Sequence, residues 1–268
     1  MKRETTNKIR YVLEEIIPPA MRDSHPFRWL FRQHWGRLID DIERFRINAH
    51  HVDEEVYSDI YSAMPRIQEG TDNSDKCVAR ITDDILSGSV LDVGCGTGEL
   101  LRRIKSVKGV DGYSYTGVDF QADQESGCKH PDVKFVKAMV EDLPFADNSF
   151  DTVICTHLLE HILDIRKAIL ELRRVAAQRL IIIVPKEREY RFTFNPHLHF
   201  FPYRHSFLRQ MLPVPTSAVC EYVGRDIYYC EDIAMDYAVD TNPYLAPVFE
   251  AENNDSFDKV HATRTFQT

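Results

Sequence analysis

Between residues 90 and 185 the chain alternates short apolar runs with amphipathic segments. Val90 to Val93, Tyr115 to Asp119, Val133 to Val136, Phe150 to Cys155 and Arg179 to Pro185 are rich in Val, Ile, Leu, Tyr and Phe, as buried strands are. The segment Glu99 to Lys105 has the helical period, and another helix is expected after the fourth run. Strands and helices alternating at this spacing imply an α/β fold, a doubly wound and mostly parallel sheet with helices on both faces. Ahead of this core, Thr6 to Ile17, Phe27 to Trp35, Asp40 to Phe45 and Val52 to Met64 read as amphipathic helices, the first stopped by Pro18-Pro19. Residues 1–75 are therefore expected to form a helical extension that packs as a lid, and residues 76–268 the main domain. Beyond residue 205 the pattern gives a helix at Ser206 to Met211, strands at Val219 to Val223, Ile227 to Tyr229 and Lys259 to Phe266, and a loop at Pro243 to Ser256.

The first strand runs into Gly94-Cys95-Gly96-Thr97-Gly98, three glycines at alternate positions. Glycine lets the backbone pass close to a ligand at the carboxyl end of a strand, where a side chain would collide. A dinucleotide fingerprint would place its third glycine at position 99, which is Glu99, and a carboxylate there opposes a pyrophosphate at a helix start. The turn thus favours a ligand with an ammonium group and no phosphate. Asp92 brings a carboxylate to the same crevice, and Asp119 ends the second strand about 20 positions on, where an acid can take both ribose hydroxyls.

L-D-V-G-C-G-T-G, G-V-D, L-P-F-A-D-N-S-F-D and L-L-E-H-I follow one another in the order and at the separations of a known family. From Val90 to Pro185 the chain resembles the class I S-adenosylmethionine-dependent methyltransferases. The resemblance implies a Rossmann-like seven-stranded sheet with its last strand antiparallel, and S-adenosylmethionine as cofactor. Gly94, Cys95, Gly96 and Gly98 would then run beneath the methionine part with Asp92, and Asp119 with Phe120 would hold the ribose. Met139, Val140 and Glu141 would border the adenine, and Thr156 and His157 would lie beside the methionine end. Many relatives carry Asp or Asn at the position of Met139 and bond the adenine amino group with it. Met139 cannot do so, which leaves Glu141, Asp142, or backbone and apolar packing for that role.

The family also implies that the insertion after the fifth strand, around residues 186–215, shapes the acceptor pocket. The flanks Arg10 to Pro19, Arg22-Asp23-Ser24, Gly70 to Asn73 and Phe200 to Phe207 resemble those of bacterial methyltransferases of surface-polysaccharide and sugar biosynthesis. The expected reaction is accordingly O-methylation of a sugar hydroxyl. A basic cluster at Lys186, Arg188, Arg191 and Arg204 would suit a nucleotide-linked or phosphorylated acceptor. The alternatives are a quinone, lipid or secondary-metabolite acceptor, and a protein that binds the cofactor without turnover.

A sugar hydroxyl must lose its proton to attack, and neutral histidine is well poised to take it. His157 and His161 lie four residues apart around Glu160 and are expected to share a helix face, while His197 and His199 alternate on an extended stretch and are expected to point the same way. H-x-x-E-H also invites a metal reading, but the motif falls where relatives carry a metal-free L-E-H, so no metal is expected.

Composition adds exclusions. The 268 residues carry a net charge of -9, which argues against a nucleic-acid surface. No apolar run approaches 18 residues and the amino terminus is charged, so no membrane span or signal peptide is expected. Six cysteines without a C-x-x-C pair fit reduced thiols in the cytoplasm.

Overall fold

The computed structural model describes residues 11–51, 70–120, 133–193 and 195–233. The expected elements at Val52 to Met64, Pro243 to Ser256 and Lys259 to Phe266, and the first half of Thr6 to Ile17, lie outside the described residues.

Seven strands form one sheet: β1 (Gly88–Val93), β2 (Tyr113–Asp119), β3 (Val133–Lys137), β4 (Phe150–Thr156), β5 (Ala176–Pro185), β6 (Val219–Val223) and β7 (Asp226–Asp232), in the order β3-β2-β1-β4-β5-β7-β6. The first five are mutually parallel, and β7 runs antiparallel to both β5 and β6. The order reverses between β1 and β4, so their carboxyl ends open the crevice in which α/β sheets take ligands. The doubly wound sheet read from the sequence is present, and its strands are longer than the apolar runs because half-polar ends such as Tyr113-Ser114 and Asp226 also pair.

One face of the sheet is covered by α3 (Asp75–Asp84) and α4 (Glu99–Lys108), whose Cys77, Val78, Ile81, Leu100, Leu101 and Ile104 pack on Val90, Tyr115, Ile154 and Ile181. None of the expected helices covers α3, although its start is legible: Ser74 caps it, its hydroxyl accepting from the Cys77 amide at 3.2 Å. The other face is covered by α5 (Ile165–Val175) and α6 (Arg204–Leu208). Helix α5 buries Ile165, Ala168, Ile169, Leu172 and Val175 and carries the half-buried cation Arg173, whose guanidinium donates to both oxygens of the buried Glu231 on β7 at 2.6 and 2.8 Å.

The amino-terminal helices α1 (His25–Trp35) and α2 (Leu38–Asn48) are joined by Arg28 to Asp40 and Glu43. With Leu13 they bury Phe31 and Ile39 against Tyr190 and Phe192, giving a third apolar cluster. Their partner surface is thus the segment after β5, while residues 70–74 reach over the carboxyl end of β4, where Asn73 donates to Thr156. The aromatic run of α1 divides: Phe31 is buried and stacks on Trp35, while Trp29 faces outward. Among the described residues no helix is long and apolar enough to cross a membrane. The five described cysteines, Cys77, Cys95, Cys155, Cys220 and Cys230, are free thiols and buried.

Candidate active site

The glycine turn follows β1 without a break. Gly94, Gly96 and Gly98 all have positive φ, 79°, 52° and 75°, a conformation that residues with a Cβ rarely adopt. At Gly94 a Cβ would also lie 3.0 Å from Leu158 Cδ2, so the turn and the β4 exit are in close approach. The amides of Gly94 and Cys95 donate to the Val118 carbonyl, which pins the turn to β2, and the Gly96 amide donates to Asp119 Oδ2 at 2.8 Å. Cys95 turns its thiol beneath the turn, toward Gly117, so it offers the crevice its backbone rather than its sulfur.

Asp92 is 1% exposed, and neither carboxylate oxygen has a hydrogen-bond partner. Burial first, and the Asp119 charge second, push its pKa up to about 7. A buried carboxylate without a donor is costly in an isolated chain, and a cation brought into the crevice would compensate it. Asp119 is buried at the end of the neighbouring strand.

The loop after β3 is fastened from α5. Arg174 donates to the carbonyls of Leu143 and Phe145, and Glu171 accepts from the Leu143 amide at 2.9 Å. Met139 closes a tight turn through its carbonyl and the Asp142 amide, Val140 is buried, Glu141 and Phe120 are half-buried, and Asp142 is exposed. Of the two acids considered for adenine, Glu141 is the one held toward the interior.

Beyond β4, Thr156 accepts from the Asn73 amide nitrogen at 2.9 Å. His157 takes a left-handed φ of 51°, rare for a residue with a Cβ, and is held there by its own amide donating to the Ile183 carbonyl. A short 3₁₀ turn, Leu159–His161, follows where a helix start was expected, so His157 and His161 do not share a helix face. His157 Nδ1 lies 3.7 Å from Glu160 Oε1. Burial pulls the His157 pKa down, but Glu160, Asp226 and Asp72 outweigh it and the net direction is up. Burial would likewise raise the Glu160 carboxyl, but His157, His161 and His197 hold it below the usual range. His161 is pushed down to about 4, by burial first and by His197 second.

His197 and His199 do not point the same way. His197 Nδ1 meets Glu187 Oε2 at 2.6 Å and its ring stands edge-on to His161 at 4.7 Å, whereas His199 Nε2 is occupied by the Ile162 carbonyl at 2.8 Å. Side chains alternate only along a regularly extended backbone, and here the chain bends at Leu198, between the two histidines, to bring the amides of Leu198 and His199 onto the Glu160 carbonyl. Three of the four histidines therefore converge on Glu160, and His199 anchors backbone.

Residues the sequence reading passed over complete the site: Asn73 on Thr156, and Glu187 and Asn195, whose side chains bond each other at 2.6 Å. Glu187 sits two positions beyond β5, which in hindsight is its signal, since strand ends in this fold carry the site. The basic cluster is consumed internally. Arg188 pairs with Glu15 and Tyr203, Arg191 pairs with Glu43, and Lys186 and Arg204 both lie over the Tyr222 ring. A separate cavity of about 630 Å³, lined by Glu14, Ile17, Arg22, Arg188 and Pro202 among others, has no wall from the glycine turn.

Residues 91–184 match the family described as a methyltransferase domain. The chain is 39% identical over 93 residues to a "2-phytyl-1,4-naphtoquinone methyltransferase" of Trichormus variabilis, covering 32% of this chain and 40% of that protein. It is 26% identical over 136 residues to "Ubiquinone/menaquinone biosynthesis C-methyltransferase UbiE" of Geotalea daltonii, covering 48% and 55%. The chain thus spans roughly half or less of the length of these relatives. Among solved structures, the PH0226 protein of Pyrococcus horikoshii superposes with a TM-score of 0.45 at 17% identity, over 65% of this chain and 98% of that one.

S-adenosylmethionine is the cofactor of such a domain, and the residues present fit it. The cradle of positive-φ glycines leaves room for close approach, and the partnerless Asp92 carboxylate and the buried Asp119 supply acceptors for an ammonium and a ribose.

Proposed function

We propose that the chain transfers the methyl group of S-adenosylmethionine to a small-molecule acceptor. The observation that carries this reading is the buried, partnerless Asp92 carboxylate beneath a glycine turn whose Gly96 amide is already bonded to Asp119. When bound, the cofactor supplies an electrophilic sulfonium methyl. The chain's own residues then bind, align and exclude water, and positioning of this kind lowers a barrier by about 7 to 11 kcal/mol. Asp92 would hold the ammonium, Asp119 the ribose hydroxyls, and Val140 and Met139 with the backbone the adenine, while Thr156, fixed by Asn73, would border the reacting end. His157 is the proton acceptor we assign, because its ring is oriented by Glu160 next to Thr156 at the carboxyl end of β4. His199, tied to the Ile162 carbonyl, is excluded.

The acceptor we propose is an uncharged hydroxylated ring compound of the quinol or secondary-metabolite kind. The sugar or glycan hydroxyl suggested by the flanking residues drew its support from Lys186, Arg188, Arg191 and Arg204, and those cations are engaged by acids and rings of the chain itself. A phosphate or nucleotide-linked acceptor would have to displace those partners. The Phe200 ring stands beside His197 and Leu158 packs on Gly94 at the exit of β4, apolar surface of the kind a ring acceptor requires. Labelled S-adenosylmethionine tested against naphthoquinols, phenolic metabolites, nucleotide sugars and glycan oligomers decides between them. Label entering only the ring compounds is the expected result, and label entering only sugars overturns the acceptor assignment.

A further inference from the structure

We infer that the chain carries a divalent transition-metal site, with zinc as its occupant, built from Glu160, His161 and His197. Among the described residues these three form the one group whose ligand atoms, a carboxylate oxygen and two imidazole nitrogens, all lie within 4.8 Å of one another. Bonds of about 2.0 to 2.2 Å to a shared ion need the donors somewhat closer, which small side-chain rotations supply.

The surroundings are what a metal site requires and what a fortuitous cluster lacks. A histidine ligand almost always donates its other ring N–H to a carboxylate or a carbonyl, which fixes the tautomer and aims the free nitrogen at the ion. His197 commits Nδ1 to Glu187 Oε2 at 2.6 Å, so Nε2 is its ligand atom. Glu187 is itself buried and fixed by the Asn195 side chain at 2.6 Å. His161 bonds the Pro196 backbone with one ring nitrogen, which leaves the other for the cluster. Glu160 is 1% exposed, and its Oε2 has no hydrogen-bond partner, so an anionic oxygen is buried at the centre with capacity to spare.

The backbone is arranged to the same end. The Glu160 carbonyl accepts from the amides of Leu198 at 2.7 Å and His199 at 3.0 Å, and His199 Nε2 from the other side holds the Ile162 carbonyl. The 159–162 turn and the 195–199 segment are therefore in register before any ion arrives. Two imidazoles and one carboxylate are a zinc-binding set, and three protein ligands leave a coordination position open. The ion would clamp the segment after β5 to the exit of β4, and its open position would face a small oxygen ligand. The site shares Glu160 with the orientation of His157, but metal uptake is read by titration without any turnover, so its failure and that of the methyl-transfer reading are distinguishable.

The test uses the full chain, stripped with a chelator and titrated with Co²⁺ while visible absorption is followed. The expected result is one Co²⁺ per chain with the d–d bands of a low-coordinate site, bleached by one equivalent of Zn²⁺. Glu160→Gln and His197→Ala, checked for folding by circular dichroism, should lose the bands. Glu187→Gln should keep all three ligands and weaken binding about 10- to 100-fold. His205→Ala, at a ring stacked on Tyr203 outside the cluster, should bind as the parent does. A parent chain that takes up no stoichiometric Co²⁺ overturns the site whatever the variants do, and so does binding that Glu160→Gln, His197→Ala and Glu187→Gln all leave unchanged.

Discussion

Replacing Asp92 by asparagine isolates the group on which cofactor recognition is argued to depend. In the ligand-free chain its pKa is pushed up to about 7, against an ordinary aspartate value near 3.8, by burial and by Asp119. A raised pKa means that the fold favours the protonated form, so the stability this group contributes at low pH is lost as the pH rises through about 7. At 1.36 kcal/mol per tenfold change, the loss builds up between about pH 3.8 and pH 7 and then stays constant at about 4 kcal/mol. A side-chain amide cannot ionise, so Asp92→Asn is expected to be more stable than the parent at pH 8 relative to pH 5, and the gain should be read in urea melts at both pH values. Binding should respond in the opposite sense. An ammonium ligand selects the ionised carboxylate, so the parent's affinity for S-adenosylhomocysteine should rise about fifteenfold from pH 5.5 to pH 7.0, both below the ligand's own amine pKa of about 8. The variant should bind about 10- to 100-fold more weakly at pH 7, the loss of one charge-assisted bond, with a nearly flat profile. Isothermal titration calorimetry in buffers of different ionisation heat gives both the affinity and the proton released. A flat profile for the parent, or the same slope in the variant, would refute the assignment of Asp92.

Gly96→Val should abolish binding of S-adenosylhomocysteine, since φ of 52° is closed to a β-branched residue, and Asp119→Ala should lose one or two charged bonds of about 1.5 to 3 kcal/mol each, both measured by calorimetry. His157→Ala should lower turnover at least about a hundredfold with cofactor affinity nearly unchanged, as expected for a proton acceptor; equal loss of both would make it structural. Arg173→Met takes the Arg173 charge from the buried Glu231 carboxylate, leaving it the Tyr229 hydroxyl, and should destabilise the fold by about 3 to 5 kcal/mol in urea melts, while S-adenosylhomocysteine still binds the folded fraction.

The cofactor half of the site was legible because it is local. The glycine turn, Asp92 and Asp119 lie at strand ends, and strand ends are marked in the sequence by apolar runs stopping at polar or small residues. The histidines were legible as candidates but not as an arrangement. Residues 197 and 199 alternate on paper, and what separates them is a tertiary contact, the Glu160 carbonyl drawing the 195–199 segment onto the turn after β4. The expected helix start at 157 failed for a similar reason. His157 is held at positive φ by the Ile183 carbonyl, which breaks the helix until Asp164 caps α5 by accepting from the Lys167 amide. The basic segment misled because charge counts along the chain do not show that Glu15 and Glu43, about 170 and 150 positions away, neutralise Arg188 and Arg191.

Whether the glycine turn takes S-adenosylmethionine is decided by calorimetric titration of the full chain with S-adenosylhomocysteine and, separately, with NAD. One S-adenosylhomocysteine per chain is expected to bind with micromolar affinity, with no heat from NAD, because position 99 carries Glu99 where a dinucleotide turn needs glycine. Binding of NAD with no heat from S-adenosylhomocysteine would contradict it.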